Sequence, residues 1–390
     1  MNVKSIRAVV GANWGDEGKG LMVDYFAAKD PKNTLVVRFN GGAQAGHTVT
    51  TPDGLRHVFS HFGSGSAAGA STYLTSDFVV NPMVFRKEWT ALNSKGINPT
   101  IYIDKGCRIT LPFDMIVNML IERKRGIKRH GSCGLGIFET VFRSKFPNFQ
   151  FSCLYLSSSD WRFLLESALG KYMKEYIWRR IAREEYDLFK EFGDHLMIGD
   201  RFIEDCEFLR QKAVFSHEGE ELRNYKHLIF EGAQGLLLDQ SNKLMAPHLT
   251  PSSTGLRNIA RVLNTAGMCI DKNFEAVYVT RTYLTRHGAG PMAGECSKEE
   301  LFGNKAKDIH DKTNVPNEFQ GALRYGKLTI PSLIDRIKYD VWRVAEEAPK
   351  ISLAVTHTNE LPVPEIGNVF DRFYYSGAET RESVSIHDGI

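Results

Sequence analysis

The chain has 390 residues, room for one large α/β domain or two ordinary ones, and its 42% hydrophobic and 24% charged content is that of a globular enzyme, not a disordered or fibrous chain. A formal charge of +3 and a pI near 8.4 are too mild for a nucleic-acid binder and suit small anionic phosphates as substrates. Six cysteines without a C-x-x-C pair, no apolar signal core at the start and no window near eighteen uninterrupted apolar residues predict free thiols, no membrane partner and a cytoplasmic protein.

In chain order, residues 6–10, 34–39, 101–103, 227–230, 276–279 and 351–355 are short runs rich in Val, Ile and Phe. Apolar runs of this length predict strands buried on both faces of a parallel sheet. Residues 18–28 read as the opening helix of a βαβ unit. The basic runs Arg123-Lys124-Arg125 and Lys128-Arg129-His130 lack interleaved aromatics and read as a solvated face, so no nucleic-acid partner is expected. Residues 160–191 are charged and amphipathic, with Trp161, Leu164, Leu165, Leu169, Tyr172, Met173 and Ile177 at helical spacing. Such a stripe is core or dimer interface rather than a cofactor site. With no repeats and no clear linker, the fold class expected is α/β: a single large domain, residues 1–390, around a mostly parallel central sheet, with helical insertions at about 110–225.

The chemistry concentrates where strands end. After the first strand comes Gly11-Ala12-Asn13-Trp14-Gly15-Asp16-Glu17-Gly18-Lys19-Gly20. Its glycines let backbone N–H groups approach an anion, the helix N-terminus adds partial positive charge, and Lys19 brings a full one. A tight strand–helix turn would need the same glycines, but it would not explain Asp16 and Glu17. A carboxylate beside phosphates is costly unless a metal ion or a substrate proton pairs with it. Position 20 is Gly and position 13 is Asn, so the P-loop pattern of switch GTPases does not fit. The second strand ends in Asn40-Gly41-Gly42-Ala43-Gln44-Ala45-Gly46-His47-Thr48, where His47 is a candidate general acid at a ligand-binding sheet edge.

These two turns, together with Glu231-Gly232-Ala233-Gln234-Gly235-Leu236-Leu237-Leu238-Asp239, closely resemble adenylosuccinate synthetase. The likeness continues through Phe78-Val79-Val80-Asn81-Pro82, Gly288-Ala289-Gly290-Pro291 and Ser376-Gly377-Ala378-Glu379, and so spans nearly the whole chain. It implies a ligase that phosphorylates the purine 6-oxygen and then lets the aspartate amine displace phosphate. By the same resemblance Asp16 removes the ring N1 proton, His47 stabilises or protonates the 6-oxygen, and Asp16 with the Gly46 carbonyl holds Mg2+. Lys19 and the amides of residues 15–20 hold the transferring phosphate, so Asn13, Gly15, Glu17, Gly18, Gly20 and Thr48 join the nucleotide site. Gln234 binds the purine base. Gln44, Ser132, Cys133 and Thr250 surround the monophosphate, and Arg143 is the arginine that one subunit of a homodimer lends to the other. Gln320 and Arg324 are the candidates for holding aspartate.

Three departures from the family pattern shape the substrate expectation. The guanine-reading Thr-Lys-x-Asp stands here as Thr356-His357-Thr358-Asn359 beside Gly377. Asp accepts twice from guanine, whereas Asn offers an acceptor and a donor, which favours ATP or dATP over GTP. The aspartate loop, elsewhere rich in Thr and Arg, is Asn317-Glu318-Phe319-Gln320-Gly321-Ala322-Leu323-Arg324. The compact Gly131-Ser132-Cys133-Gly134-Leu135-Gly136 turn resembles the phage branch that joins aspartate to dGMP for 2-aminoadenine DNA, which would place the protein in a host cytoplasm. Retained Asp16 points the other way, toward IMP. An inactive nucleotide sensor, the alternative outside enzymes, is hard to square with Asp16, Lys19, His47 and Gln234 all being kept.

Overall fold

The computed structural model describes residues 3–128, 130–177, 180–181, 195–311, 320–345 and 347–389. All six predicted strands lie in one sheet of ten, in the spatial order 385–388, 372–375, 350–356, 274–281, 5–11, 227–235, 34–38, 71–74, 101–104 and 214–216. Every neighbouring pair is parallel except the edge strand Ser385–Asp388, which runs antiparallel to Arg372–Tyr375.

Burial on both faces explains the apolar runs. In the central strand Ser5–Gly11, Val9 packs with Val36, Ile229 and Val277 against Met22, Val23 and Phe26 of the helix Lys19–Ala27. Its neighbours Ala8 and Val10 point the other way, toward Ile259, Val262 and Leu263 of Arg257–Thr265 and Leu333 and Ile337 of Ile330–Trp342. Each fully buried Val, Leu or Ile is worth about 1.5–3 kcal/mol, so two such layers hold the central strands in register.

A third cluster sits under the far half of the sheet, built by the helices Pro82–Ser94, Pro112–Arg125, Trp161–Lys171 and His195–Lys212. The aromatic stripe belongs to this core: Leu165, Leu169, Tyr172 and Ile177 are buried in it and Trp161 packs against it. The helix is shorter than its pattern suggested, passing at Tyr172–Ile177 into a π-helical turn. The side chain of Met173 and residues 182–191 lie outside the described residues.

The chain leaves the central strand and places its next one, Thr34–Arg38, two positions away, with His227–Gly235 inserted between them. The opposite side is filled by Phe274–Arg281 and Lys350–Thr356. The turns after these strands therefore meet at one carboxyl edge, around a point where the winding reverses, which is where open α/β sheets bind ligands.

Candidate active site

A cavity of about 780 Å³ opens at that edge. Its wall includes Gly15, Asp16, Glu17, Gly18, Lys19 and Gly20 of the first turn, Gln44, Gly46, His47 and Thr48 of the second, and Gln234 and Thr250. Ser132, Cys133, Gln320, Asn359 and Gly377 complete it. Nearly all of the residues singled out in the sequence thus share one wall.

The first turn is held by contacts that only glycine permits. A Cβ on Gly11 would lie 2.2 Å from Glu17 Oε2 and 2.5 Å from the Gln234 carbonyl. Gly18, at φ 89°, caps the helix in the left-handed region and abuts Thr356. The two adjacent carboxylates have different surroundings. Glu17 is buried, accepts the Asn13 N–H at 2.6 Å, and lies 3.9 Å from Lys19 Nζ. Burial raises its pKa to about 7 despite the pull of Lys19. Asp16 is only half-buried, at φ 59°, and its backbone carbonyl accepts Arg281 Nε at 2.6 Å. Asn13 lies beneath the loop, not on the cavity wall: its amide donates to Thr280 Oγ1 at 2.9 Å and its oxygen accepts from Arg336.

Among the described residues three non-glycine positions have positive φ: Asp16 at 59°, Gln234 at 63° and His357 at 58°. All three line this cavity. Such backbone costs of order 1–3 kcal/mol per residue and collects where a site demands a fixed side-chain direction. The carbonyl oxygens of the Gln44 and Gln234 side chains are buried without a donor among the described residues. A ligand that carries N–H groups would satisfy them.

His47 begins the strand His47–Thr50 and turns Nδ1 to Glu231 Oε1 at 2.6 Å. Burial lowers the imidazole's pKa, so Nδ1–H donates to an ionised Glu231 and Nε2 is the nitrogen left for chemistry. Burial alone would raise Glu231, but His47 and Arg38 outweigh it and hold the carboxyl at about 2. At the other end, Thr356 donates to the Glu17 carbonyl at 2.9 Å, tying the Thr356–Asn359 turn to the phosphate loop. A Cβ on Gly377 would sit 3.4 Å from Asn359 Cβ, so the two predicted base-reading positions are in contact range.

Two expectations need correcting. Arg143 is fully buried inside its own chain and cannot reach a neighbouring subunit. Its Nε lies 2.9 and 3.0 Å from the two oxygens of Asp114, and Nη1 donates to the Phe149 carbonyl at 2.8 Å. Helix Ile137–Arg143 turns it inward because Asp114, also buried, needs a cation. Arg324 does not line the cavity either. It spends its guanidinium on Glu295, at 2.7 Å, and on the carbonyls of Gly290 and Gly288 at 2.8 and 3.1 Å. Residues 317–319 of that loop are outside the described ones.

The structure also adds residues that sequence reasoning passed over. Glu231 was read only as part of a motif, although a carboxylate in a central strand demands a partner. Arg281 joins Asp16 to Tyr283, at 2.9 Å, and to Asp311, at 2.9 Å. Arg286 is buried on the wall with its guanidinium 3.9 Å over the Trp14 ring. Burial lowers its pKa to about 10, with the charge of Arg324 adding to the shift. Among the described residues no three His, Cys, Asp or Glu form a metal cage. Asp16 and Gly46 on one wall fit Mg2+ all the same, because that ion is ordinarily held by one or two carboxylates and by substrate phosphates.

A parallel sheet whose carboxyl edge carries a glycine-rich loop with a lysine, a buried carboxylate–histidine pair and a cavity of about 780 Å³ suits an enzyme of nucleotide phosphate chemistry. The family model for adenylosuccinate synthetase matches residues 8–320, and the chain belongs to that family. It is therefore a carbon–nitrogen ligase joining aspartate to a purine nucleotide, in a family that uses Mg2+ and a nucleoside triphosphate. Adenylosuccinate synthetase of Borrelia duttonii (strain Ly) is 28% identical over 317 residues, covering 80% of this chain and 70% of that one. The enzyme of Francisella tularensis subsp. tularensis (strain WY96-3418) is 28% identical over 382 residues, 95% of this chain and 81% of that one. Two solved structures share the fold. The fully ligated Plasmodium falciparum adenylosuccinate synthetase has a TM-score of 0.68 at 20% identity, over 99% of this chain and 88% of that one. The cyanophage S-2L succinoaminodeoxyadenylate synthetase (PurZ), bound to dGMP and dATP as an energy donor, has a TM-score of 0.60 at 14% identity, over 100% and 96%. No helix among the described residues is long and apolar enough to cross a membrane.

Proposed function

We propose that the enzyme joins L-aspartate to C6 of dGMP, with ATP or dATP as phosphoryl donor, to give N6-succino-2-amino-2'-deoxyadenylate. The observation that carries the donor half of this reading is Asn359, a carboxamide on the cavity wall where the family pattern has a guanine-reading carboxylate, and the compact Gly131–Gly136 turn is what favours dGMP. In this reading Asp16 takes the N1 proton of the base, and the 6-oxygen attacks the terminal phosphorus as the nucleoside diphosphate leaves. In its protonated form, with ionised Glu231 behind it, His47 donates Nε2–H to the 6-oxygen, and Lys19 with the loop amides balances charge on the phosphoryl group in flight. The aspartate amine then attacks C6, losing a proton, and inorganic phosphate departs. Mg2+, held by Asp16 and the Gly46 carbonyl, would neutralise phosphate charge. A homodimer, typical of the family, belongs to the same proposal without Arg143 as the lent cation.

Asp16 also favours a second reading, the conventional use of IMP with GTP. Both bases present an N1–H and a 6-oxo group, so the carboxylate serves either. They differ in the 2-amino group and, for dGMP, in the sugar. A matrix of IMP, GMP and dGMP against GTP, ATP and dATP, each with aspartate and with product mass as readout, decides between them. Product only from IMP with GTP would refute the dGMP reading.

A further inference from the structure

Behind His47 lies a run of buried charge that the reaction scheme leaves unused. Arg38, fully buried at the end of Thr34–Arg38, is acted on by two buried carboxylates, Glu231 and Glu88, and donates to the Phe62 carbonyl at 3.2 Å. Glu88, from the helix Pro82–Ser94, accepts the N–H groups of Ser60 and His61 at 2.7 Å each and of Phe62 at 3.4 Å. One carboxylate on three consecutive N–H groups fixes that turn. Gly63 is fixed as well: its N–H donates to Thr72 Oγ1 at 2.9 Å, and a Cβ there would lie 2.5 Å from Val36. Ser64 follows at once. Its N–H donates to Glu231 Oε2 at 2.9 Å and its hydroxyl to Oε1, the same oxygen that receives His47 Nδ1–H.

A carboxylate can orient an imidazole only if it cannot swing. Two donors from one residue hold both oxygens of Glu231, and Glu88 seats the turn, residues 60–62, that leads into that residue. We propose that Ser64 and Glu88 are positioning residues for His47, acting through Glu231 to fix its tautomer and ring direction during transfer of the phosphoryl group to the purine. This rests on the reading of His47 as the group that bonds the 6-oxygen. A merely structural turn would explain the contacts to Glu88, but not the convergence of both Ser64 donors on the partner of a cavity-wall histidine.

The test pairs steady-state kinetics with 15N NMR of histidine-labelled enzyme, the His47 signals being assigned by their loss in His47→Gln. Ser64→Ala should stay folded, keep each KM within about threefold and lose kcat about 10- to 100-fold, the usual cost of removing a residue that orients a catalytic group. Its His47 Nδ1 signal should shift. Ser64→Thr, which keeps the hydroxyl, should restore both, and Glu88→Gln should move both in the Ser64→Ala direction by less. An unshifted His47 signal in Ser64→Ala overturns the proposal, even where kcat falls together with Tm. If the wild type turns over no purine monophosphate with aspartate, the functional reading fails, and the NMR comparison still decides the positioning role.

Discussion

Truncating Arg143 should reveal a structural residue, not a substrate-binding one. The guanidinium is fully buried against Asp114, which it contacts three times at 2.9–3.0 Å, and it also stacks 4.8 Å over the Phe151 ring. Arg143→Ala leaves Asp114 buried without its cation, with Tyr172, Thr140 and the Leu111 N–H still donating to it. Removing one partner of a buried pair costs about 3–5 kcal/mol. For 390 residues, an unfolding entropy of about 2.1 cal/mol/K per residue sums to ~0.8 kcal/mol/K. The loss therefore corresponds to a fall in Tm of ~4–6 °C, by the same scaling. Calorimetry measures that fall, and steady-state assays at 25 °C should give a KM for the purine monophosphate within about twofold of wild type, as expected for a residue that binds no substrate. An unchanged Tm with a KM raised tenfold or more would refute the assignment and return Arg143 to the substrate.

Asn359→Asp should turn the donor preference toward GTP, changing the GTP-to-ATP ratio of kcat/KM by about 10- to 100-fold, since hydrogen bonds to a charged group are worth ~1.5–3 kcal/mol. An unchanged ratio would mean that position 359 does not read the base. Asp16→Asn should abolish phosphoryl transfer while keeping triphosphate affinity within roughly tenfold, and near-normal turnover would remove Asp16 as the base. Glu231 titrates near 2 when folded against an ordinary 4.5, so its stabilising contribution is complete above about pH 4.5 and is lost as pH falls toward 2. Glu231→Gln should start from a lower stability and lose less of it over that window; parallel pH curves for the two proteins would show that Glu231 is not held ionised.

Much of the sheet was legible because its signal is local. Parallel strands buried on both faces must be apolar throughout, and all six predicted runs fall in the ten-stranded sheet. The strands that escaped are short or at edges. Val214–Ser216 has an exposed first residue and Ser385–Asp388 is exposed along its length, so neither carries an apolar run. The long helix expected from residue 160 onward fails for a different reason. Helical spacing continues across Tyr172–Ile177, but a change from α to π winding there leaves no mark that periodicity can register.

The site divides along the same line. Asp16 and Glu17 stood out because a bland turn has no need of carboxylates, whereas its glycines would serve either kind of turn. Arg143 was misread because a motif alignment gives an arginine's position in the chain but not the direction of its side chain, which Asp114 decides from 29 residues away. The converse holds for Glu231, whose partners His47 and Ser64 lie 184 and 167 residues off. Only the sheet register, which sets Glu231 beside Arg38 and Val9, brings them together. The pairing of Asp16 with Glu17 is the clearest case of what each level contributes. The sequence presents two equivalent carboxylates in an anion loop, and burial separates them. Glu17 is turned inward onto the Asn13 N–H, beside Lys19, where an ionised carboxyl is costly. Asp16 is left at positive φ on the cavity wall, where among the described residues its backbone carbonyl is engaged by Arg281 and its carboxylate has no hydrogen-bond partner, as the proposed role of meeting a substrate proton or an ion requires.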